Sequence, residues 1–183
     1  MKKYELLVDD TITFFGVQLF RIKALISFSG IEKGEVGGYI ASEKNLSQSG
    51  NAWVSGNARV SDNARVYGNA RVSGNAWVSG NAWVYGNARV SGNARVSDNA
   101  RVYGDAWVYG DADYIVFKNT WSSGRYFTYT KSNRKWRVGC FYGSGAELVE
   151  KAYKDSKKSG DFYKAYVEFV EKLEAIENIH KEQ

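Results

Sequence analysis

At 183 residues, with 44% hydrophobic and 25% charged side chains, the chain has the composition of an ordinary protein of one or two compact units. It contains no apolar run long enough to span a bilayer and no secretory pattern at Met1-Lys2-Lys3-Tyr4, so a soluble, cytoplasmic protein is expected, with no membrane partner. The lone Cys140 excludes an internal disulfide and reads as a small core residue or an unremarkable thiol, the absence of proline excludes rigid proline-rich linkers, and the net charge of +5 is concentrated in one segment near the C-terminus.

The first segment, residues 1–38, reads as a β cap. Thr11 to Leu25 is rich in β-branched and aromatic residues on both sides of Gly16, which predicts two strands around a tight turn. Residues 39–112 are expected to form a solenoid. Its first coil is degenerate: by six-residue spacing from Ala52, Ile40 and Leu46 fall on the alanine column, and Ser42 and Gln48 fall where valine belongs.

From Asn51 to Gly110 one six-residue unit, Asn/Asp-Ala-Arg/Trp-Val-Ser/Tyr-Gly/Asp, recurs ten times without an insertion. Strict short periods dictate a solenoid. Ala-Arg/Trp-Val alternates small-in, large-out, aliphatic-in, the signature of a short strand with one buried face. Each Gly-Asn, Asp-Asn or Gly-Asp pair is a corner, because these residues tolerate positive backbone angles. Tyr67, Tyr85 and Tyr103 lie eighteen residues apart, so three units make one coil. Coils spaced about 4.8 Å apart make the ten units a triangular prism about 16 Å long.

Eighteen-residue spacing stacks the outward side chains in columns: Trp53-Arg71-Arg89-Trp107 on one face, Arg59-Trp77-Arg95-Asp113 on the second and Arg65-Trp83-Arg101 on the third. Alternating guanidinium and indole suits cation-π contact, worth about 0.5–1 kcal/mol each when exposed. These columns and the tyrosine column are expected to stabilise the rod or pack sister subunits. The alternative is a ligand surface, since arginine and aromatic groups pair phosphates and stack bases.

Val54-Ser55-Gly56-Asn57-Ala58-Arg59 and its successors resemble the hexapeptide-repeat, left-handed parallel β-helix family. The resemblance covers about a third of the chain and implies the left hand; the general rule for parallel crossovers favours the right. The resulting fold class is mainly β: a left-handed parallel β-helix of eighteen residues per coil, with an N-terminal hairpin cap and a small C-terminal α+β module. Acyltransferases of this family use a histidine near a subunit boundary and often a protruding loop. The ten units contain neither, and His180 lies at a helix end close to the C-terminus. No catalytic residue, metal ligand or cofactor is assigned, and a non-enzymatic protein is expected. The resemblance also makes a trimer the first expectation for a homo-oligomer, with the exposed Trp, Tyr and Arg columns as its interface.

Residues 113–183 read as three strands, Tyr114 to Lys118, Arg125 to Thr130 and Lys135 to Phe141, followed by two helices. The first helix begins at Ser144, where Ser-Gly-Ala-Glu147 is a capping box, and runs to about Lys157. The second starts around Asp161 and carries Phe162, Tyr166, Phe169, Leu173 and Ile176 as one apolar stripe. Residues 113–142 hold Lys118, Arg125, Lys131, Arg134, Lys135 and Arg137 against Asp113 alone, interleaved with aromatics. Such a mixture suits nucleotides or polyanions, and Lys118, Arg125, Tyr129, Arg134, Lys135, Trp136 and Arg137 are the candidate binding residues. The alternative is a half-buried sheet with an aromatic inner face and a solvated cationic outer one.

Lys2-Lys3-Tyr4-Glu5-Leu6, Gly37-Gly38-Tyr39-Ile40, Asn45-Leu46-Ser47 and Gly50-Asn51-Ala52-Trp53-Val54 together resemble a group of phage and prophage proteins built from such repeats. That resemblance implies a viral accessory protein in the host cytoplasm. The expected function is capture of an anionic partner, namely a nucleotide signal, nucleic acid or a host defence protein, as a counter-defence inhibitor or sponge. The competing expectation is a structural assembly protein without a ligand, and a hexapeptide-type acyltransferase is third.

Overall fold

A computed structural model describes residues 2–181 and divides the chain into two compact units. The first runs to Val116 and includes Thr130–Asn133; the second comprises Phe117–Tyr129 and the chain from Arg134 on.

In the first unit, β1 (Tyr4–Phe14) and β2 (Val17–Ala24) form an antiparallel hairpin whose turn places Phe15 and Gly16 at φ 47° and 78°. β2 pairs with β3 (Val36–Ile40), which pairs in parallel with the solenoid. Ten two-residue strands follow, β4 (Trp53–Val54) to β13 (Trp107–Val108), one per repeat. They stack in three faces: β3-β5-β8-β11, β4-β7-β10-β13 and β6-β9-β12. β3 and the Leu46 bridge to Val66 supply the coil that the ten units lack, so the solenoid has about four turns. Every repeat valine and alanine is buried, as the alternation requires. Each buried valine stabilises the rod by about 1.5–3 kcal/mol.

The first coil has a different register from the one expected. Ile40 pairs with Val60 and Leu46 with Val66, so both occupy the valine column rather than the alanine column. The spacing between these partners is twenty residues, because the corner between Leu46 and Trp53 is two residues longer than the others. Gly38 then lies over Ala58, whose carbonyl oxygen is 2.6 Å from where a Cβ would stand, so the close approach requires glycine.

The corners divide their labour in a way turn propensity alone does not reveal. Positive φ falls on the Gly or Asp of each pair from Gly50-Asn51 to Gly104-Asp105, including Asp62 at 55° and Asp98 at 58°. The asparagines form amide ladders instead: Asn51, Asn69, Asn87 and Asp105 are linked at 3.0, 3.1 and 3.1 Å, and Asn57, Asn75 and Asn93 at 3.4 and 3.3 Å. Stacked amides satisfy one another along the rod, as in other stacked-strand assemblies.

Each coil donates its backbone N–H groups to the carbonyls of the next, as in Trp53 N–H to Ala70 and Arg71 N–H to Ala88. The rod is therefore polar, with acceptors left at its N-terminal end and donors at its C-terminal end. Unpaired edges invite aggregation, and each is closed by side chains of opposite character. At the acceptor end, Lys3 Nζ donates to Ala52 O at 2.8 Å, Asn45 Nδ2 to Asp62 O at 3.1 Å and Ala64 O at 2.9 Å, and the Tyr4 hydroxyl to Leu46 O at 2.6 Å. At the donor end, Asp111 accepts from Arg95 N–H, Ser132 from Trp107 N–H, and Asp113 from Tyr109 and Gly110 N–H at 2.7 and 2.9 Å. Asp113 thus lies in a short 3-10 turn, Asp111–Asp113, and does not extend the Arg59 column.

In the second unit the expected three strands are four: β14 (Tyr114–Lys118) and β15 (Tyr126–Thr130), which continue from the first unit, then β16 (Lys135–Val138) and β17 (Phe141–Gly143). A turn at Gly139, φ 56°, splits the last two, and Cys140 is exposed there, so it is not a core residue. Helix α1 (Gly145–Asp155) begins at Ser144 with the reciprocal Ser144–Glu147 capping box. Helix α2 (Lys157–Lys181) starts four residues earlier than its apolar stripe suggests, with Ser159 N–H donating to Ser156 Oγ. Its buried face is Gly160, Tyr163, Val167 and Val170, not the expected stripe. Gly160 sets this rotation: a Cβ there would stand 2.1 Å from the Tyr153 ring of α1.

Candidate functional site

The basic-aromatic segment is separated into two faces by strand alternation. Phe127, Tyr129 and Trp136 turn toward the helices, where Trp136 is 2% exposed and Tyr129 4%. Trp136 packs edge-on to Phe127 and at 5.0 Å from the Tyr129 ring, and the Tyr129 hydroxyl donates to Glu174 at 2.5 Å. Burial and that carboxylate push the Tyr129 phenol far above its ordinary value. Trp136 and Tyr129 are therefore core residues and present nothing to a ligand, which corrects the expectation that they bind one.

The cations are dispersed. Lys118 lies 5.5 Å from the Tyr126 ring, Arg134 sits 4.0 Å from Glu174, and Arg137 donates to Cys140 O at 3.1 Å. Arg125 is exposed beside Gly139, and Lys135 is half-buried on the strand that carries Arg137. Along β16, Lys135 and Arg137 alternate with the buried Trp136 and Val138.

The solenoid columns stack as their spacing predicts: Trp53, Arg71, Arg89 and Trp107 pair in register, as do Arg59, Trp77 and Arg95, and Arg65, Trp83 and Arg101. Two of the three are engaged by the chain's own N-terminal segment. Trp53 is 1% exposed under Tyr4 and Phe28, and Arg71 donates to Ser29 O at 2.6 Å. Phe15 stacks on Trp77 at 5.3 Å and the Arg59 guanidinium lies 4.2 Å from the Phe14 ring. Nothing in the repeat signals this coverage, because it depends on where the hairpin tip folds.

The third face is organised differently. The Trp83 indole lies between two guanidinium groups, Arg65 at 5.8 Å and Arg101 at 4.8 Å. Beside it runs the tyrosine ladder, Tyr67 stacked on Tyr85 at 4.8 Å and Tyr85 tilted over Tyr103 at 4.4 Å, with Trp83 edge-on to Tyr67 at 6.0 Å. Where this face meets the degenerate coil, a hollow of about 340 Å³ is lined by Glu43, Lys44, Gln48, Arg65, Tyr67 and Trp83 among others. Lys44 and Gln48 are contributors that sequence reasoning missed; the eighteen-residue rule fails for them because Lys44 precedes the longer corner and Gln48 lies within it.

Among the described residues, no group of three or more His, Cys, Asp or Glu side chains is placed to hold a metal, and no helix is long and apolar enough to cross a membrane. The family model of the YdcK beta solenoid repeat matches the chain in five stretches, residues 52–66, 58–71, 64–80, 82–96 and 94–110. No curated protein matches it. Over its repeats the chain is similar to that family, and it is a β-solenoid repeat protein.

Proposed function

We propose that the chain is a non-enzymatic accessory protein that captures an anionic, base-containing ligand on its third solenoid face. The observation that supports this is the Arg65–Trp83–Arg101 arrangement beside a hollow that also holds Lys44 and Gln48. Guanidinium groups pair phosphates bidentately, and an indole flanked by a tyrosine offers a stacking surface to a base. A nucleotide signal or a short single strand of nucleic acid fits that chemistry. With the resemblance to phage and prophage proteins, the role is counter-defence in the host cytoplasm by withholding such a ligand.

Native mass spectrometry of protein purified from cells, and thermal shift with a panel of cyclic nucleotides and short oligonucleotides, test it. A retained anion or a stabilising shift, lost in Arg65→Ala/Arg101→Ala, is expected. No ligand and no shift across the panel would sink this reading.

A second reading, a structural protein without a ligand, is favoured by the tyrosine ladder. Its rings stack on one another, which suits a role in holding coils together. Under that reading Tyr85→Ala lowers stability by about 3 kcal/mol, as for a buried aromatic, and no ligand is found.

A further inference from the structure

Helix α2 carries two apolar stripes. The inner one, Gly160, Tyr163, Val167 and Val170, is buried against α1 and the sheet. The other, Phe162, Tyr166, Phe169, Leu173 and Ile176, begins over Phe117 and Trp121 and then runs on toward the helix end. Phe169, Leu173, Ile176 and the adjoining Ile179 are 48, 37, 53 and 58% exposed, and Trp121 61%. Phe117, Trp121, Phe162, Tyr166 and Phe169 enclose an apolar groove of about 340 Å³ at the head of this stripe. Length explains the exposure: at 1.5 Å per residue α2 is about 37 Å long and α1 about 16 Å, so α1 covers less than half of it.

We propose that this stripe is a self-association seam, occupied by α2 of a second copy of this chain in a parallel, two-fold dimer. Three observations select a second copy. The spacing of the stripe is 4, 3, 4 and 3 residues, the a/d pattern of helices that pair along a 3.5-residue repeat. Tyr166 and Leu173 take the a positions and Phe162, Phe169 and Ile176 the d positions. Lys172 then falls at g and Glu177 at the following e, five residues on, the two positions that face each other across parallel, in-register helices. Each copy therefore brings both halves of the ion pair; in the single chain Glu177 is engaged by Lys181 at 3.0 Å, on the same exposed turn.

Area is the third. The exposed parts of Trp121, Phe169, Leu173, Ile176 and Ile179 amount to about 500 Å² per chain, given 150–250 Å² for a whole aromatic side chain and somewhat less for an aliphatic one. A patch of that size is at the upper end of what monomers expose and is often an interaction surface, and two of them with their polar flanks approach the roughly 1,200 Å² at which specific interfaces begin. The proposal is independent of the ligand face and survives its failure.

Sedimentation velocity of the full chain from low to high micromolar concentration tests it. The wild type is expected to sediment as a dimer, and Leu173→Asp/Ile176→Asp to weaken association about 100-fold or more, as truncating paired hot spots does, with an unchanged circular dichroism spectrum. Lys172→Glu is expected to shift the equilibrium toward monomer, and Lys172→Glu/Glu177→Lys to restore the dimer, a rescue that a merely structural role would not produce. A monomeric wild type at every concentration, or a dimer that persists in Leu173→Asp/Ile176→Asp, overturns the seam. Failure of the charge swap to restore association overturns the parallel register.

Discussion

Lys3 is the most exposed of the end caps to a direct test, because its charge can be titrated. Lys3 is 2% exposed, and its ammonium donates to Ala52 O at 2.8 Å and Gly50 O at 3.4 Å and lies 5.2 Å from the Phe28 ring. Burial, and secondarily the positive charge of Arg71, bring it down from 10.5 to about 8. Between those two values the unfolded chain binds a proton that the folded chain has released, so stability rises with pH across that window. A full shift of that size corresponds to about 3 kcal/mol, and by pH 10 about 2–3 kcal/mol of it is realised. For a chain of this size that is roughly 4–10 °C in Tm. Above pH 10 the trend reverses. Tyr4 and Tyr129 are raised, chiefly by burial, so the folded chain holds phenolic protons that the unfolded chain loses, and stability falls. Thermal unfolding followed by tryptophan fluorescence, which Trp53 reports beside Tyr4, should therefore show a maximum near pH 10. Lys3→Met should remove the rising limb and leave the falling one. A flat profile from pH 8 to 10, or the same rise in Lys3→Met, refutes the reasoning.

Two further outcomes concern packing. Gly38→Ala drives a Cβ into Ala58 O and Val54 Cγ1, at 2.6 and 2.8 Å, and should destabilise by about 3 kcal/mol in chemical denaturation. Gly110→Ala, in extended backbone with open space around it, should be within about 0.5 kcal/mol of wild type. In the second unit Trp136→Ala should cost about 3–5 kcal/mol and expose its amides to hydrogen exchange, whereas Lys118→Ala, at an exposed position, should leave exchange unchanged.

Local periodicity explains why some of this was legible. Ala, Arg/Trp and Val repeat with a period of six, and one buried face per strand follows from alternation alone; ten units at constant spacing then allow no register but eighteen. The hairpin turn at Gly16 and the Ser144 capping box are equally local, each decided within four residues. The first coil escaped because its two extra residues lie in a corner of no particular signature, so Ile40 and Leu46 could not be assigned to the valine column without seeing Val60 and Val66. The candidate site fared worse for the same kind of reason. Trp136 between Lys135 and Arg137 reads as a basic-aromatic point, yet alternation sends the indole to one face and the cations to the other. Which face is covered depends on where two helices dock.

The sequence by itself determined the solenoid, its eighteen-residue coil, the valine and alanine interior and the columns of arginine and aromatic side chains, because each depends only on the spacing of neighbours along the chain. Tertiary structure alone decided which columns the N-terminal segment covers, which polar side chains close the two ends of the rod, and which stripe of α2 is buried. Those outcomes depend on contacts between unlike segments, several of them forty or more positions apart, as with Lys3 and Ala52, Arg71 and Ser29, and Tyr129 and Glu174, and on a single glycine that lets Tyr153 set the rotation of a helix. No periodic pattern carries such information, since it resides in the packing of unlike segments rather than in their order.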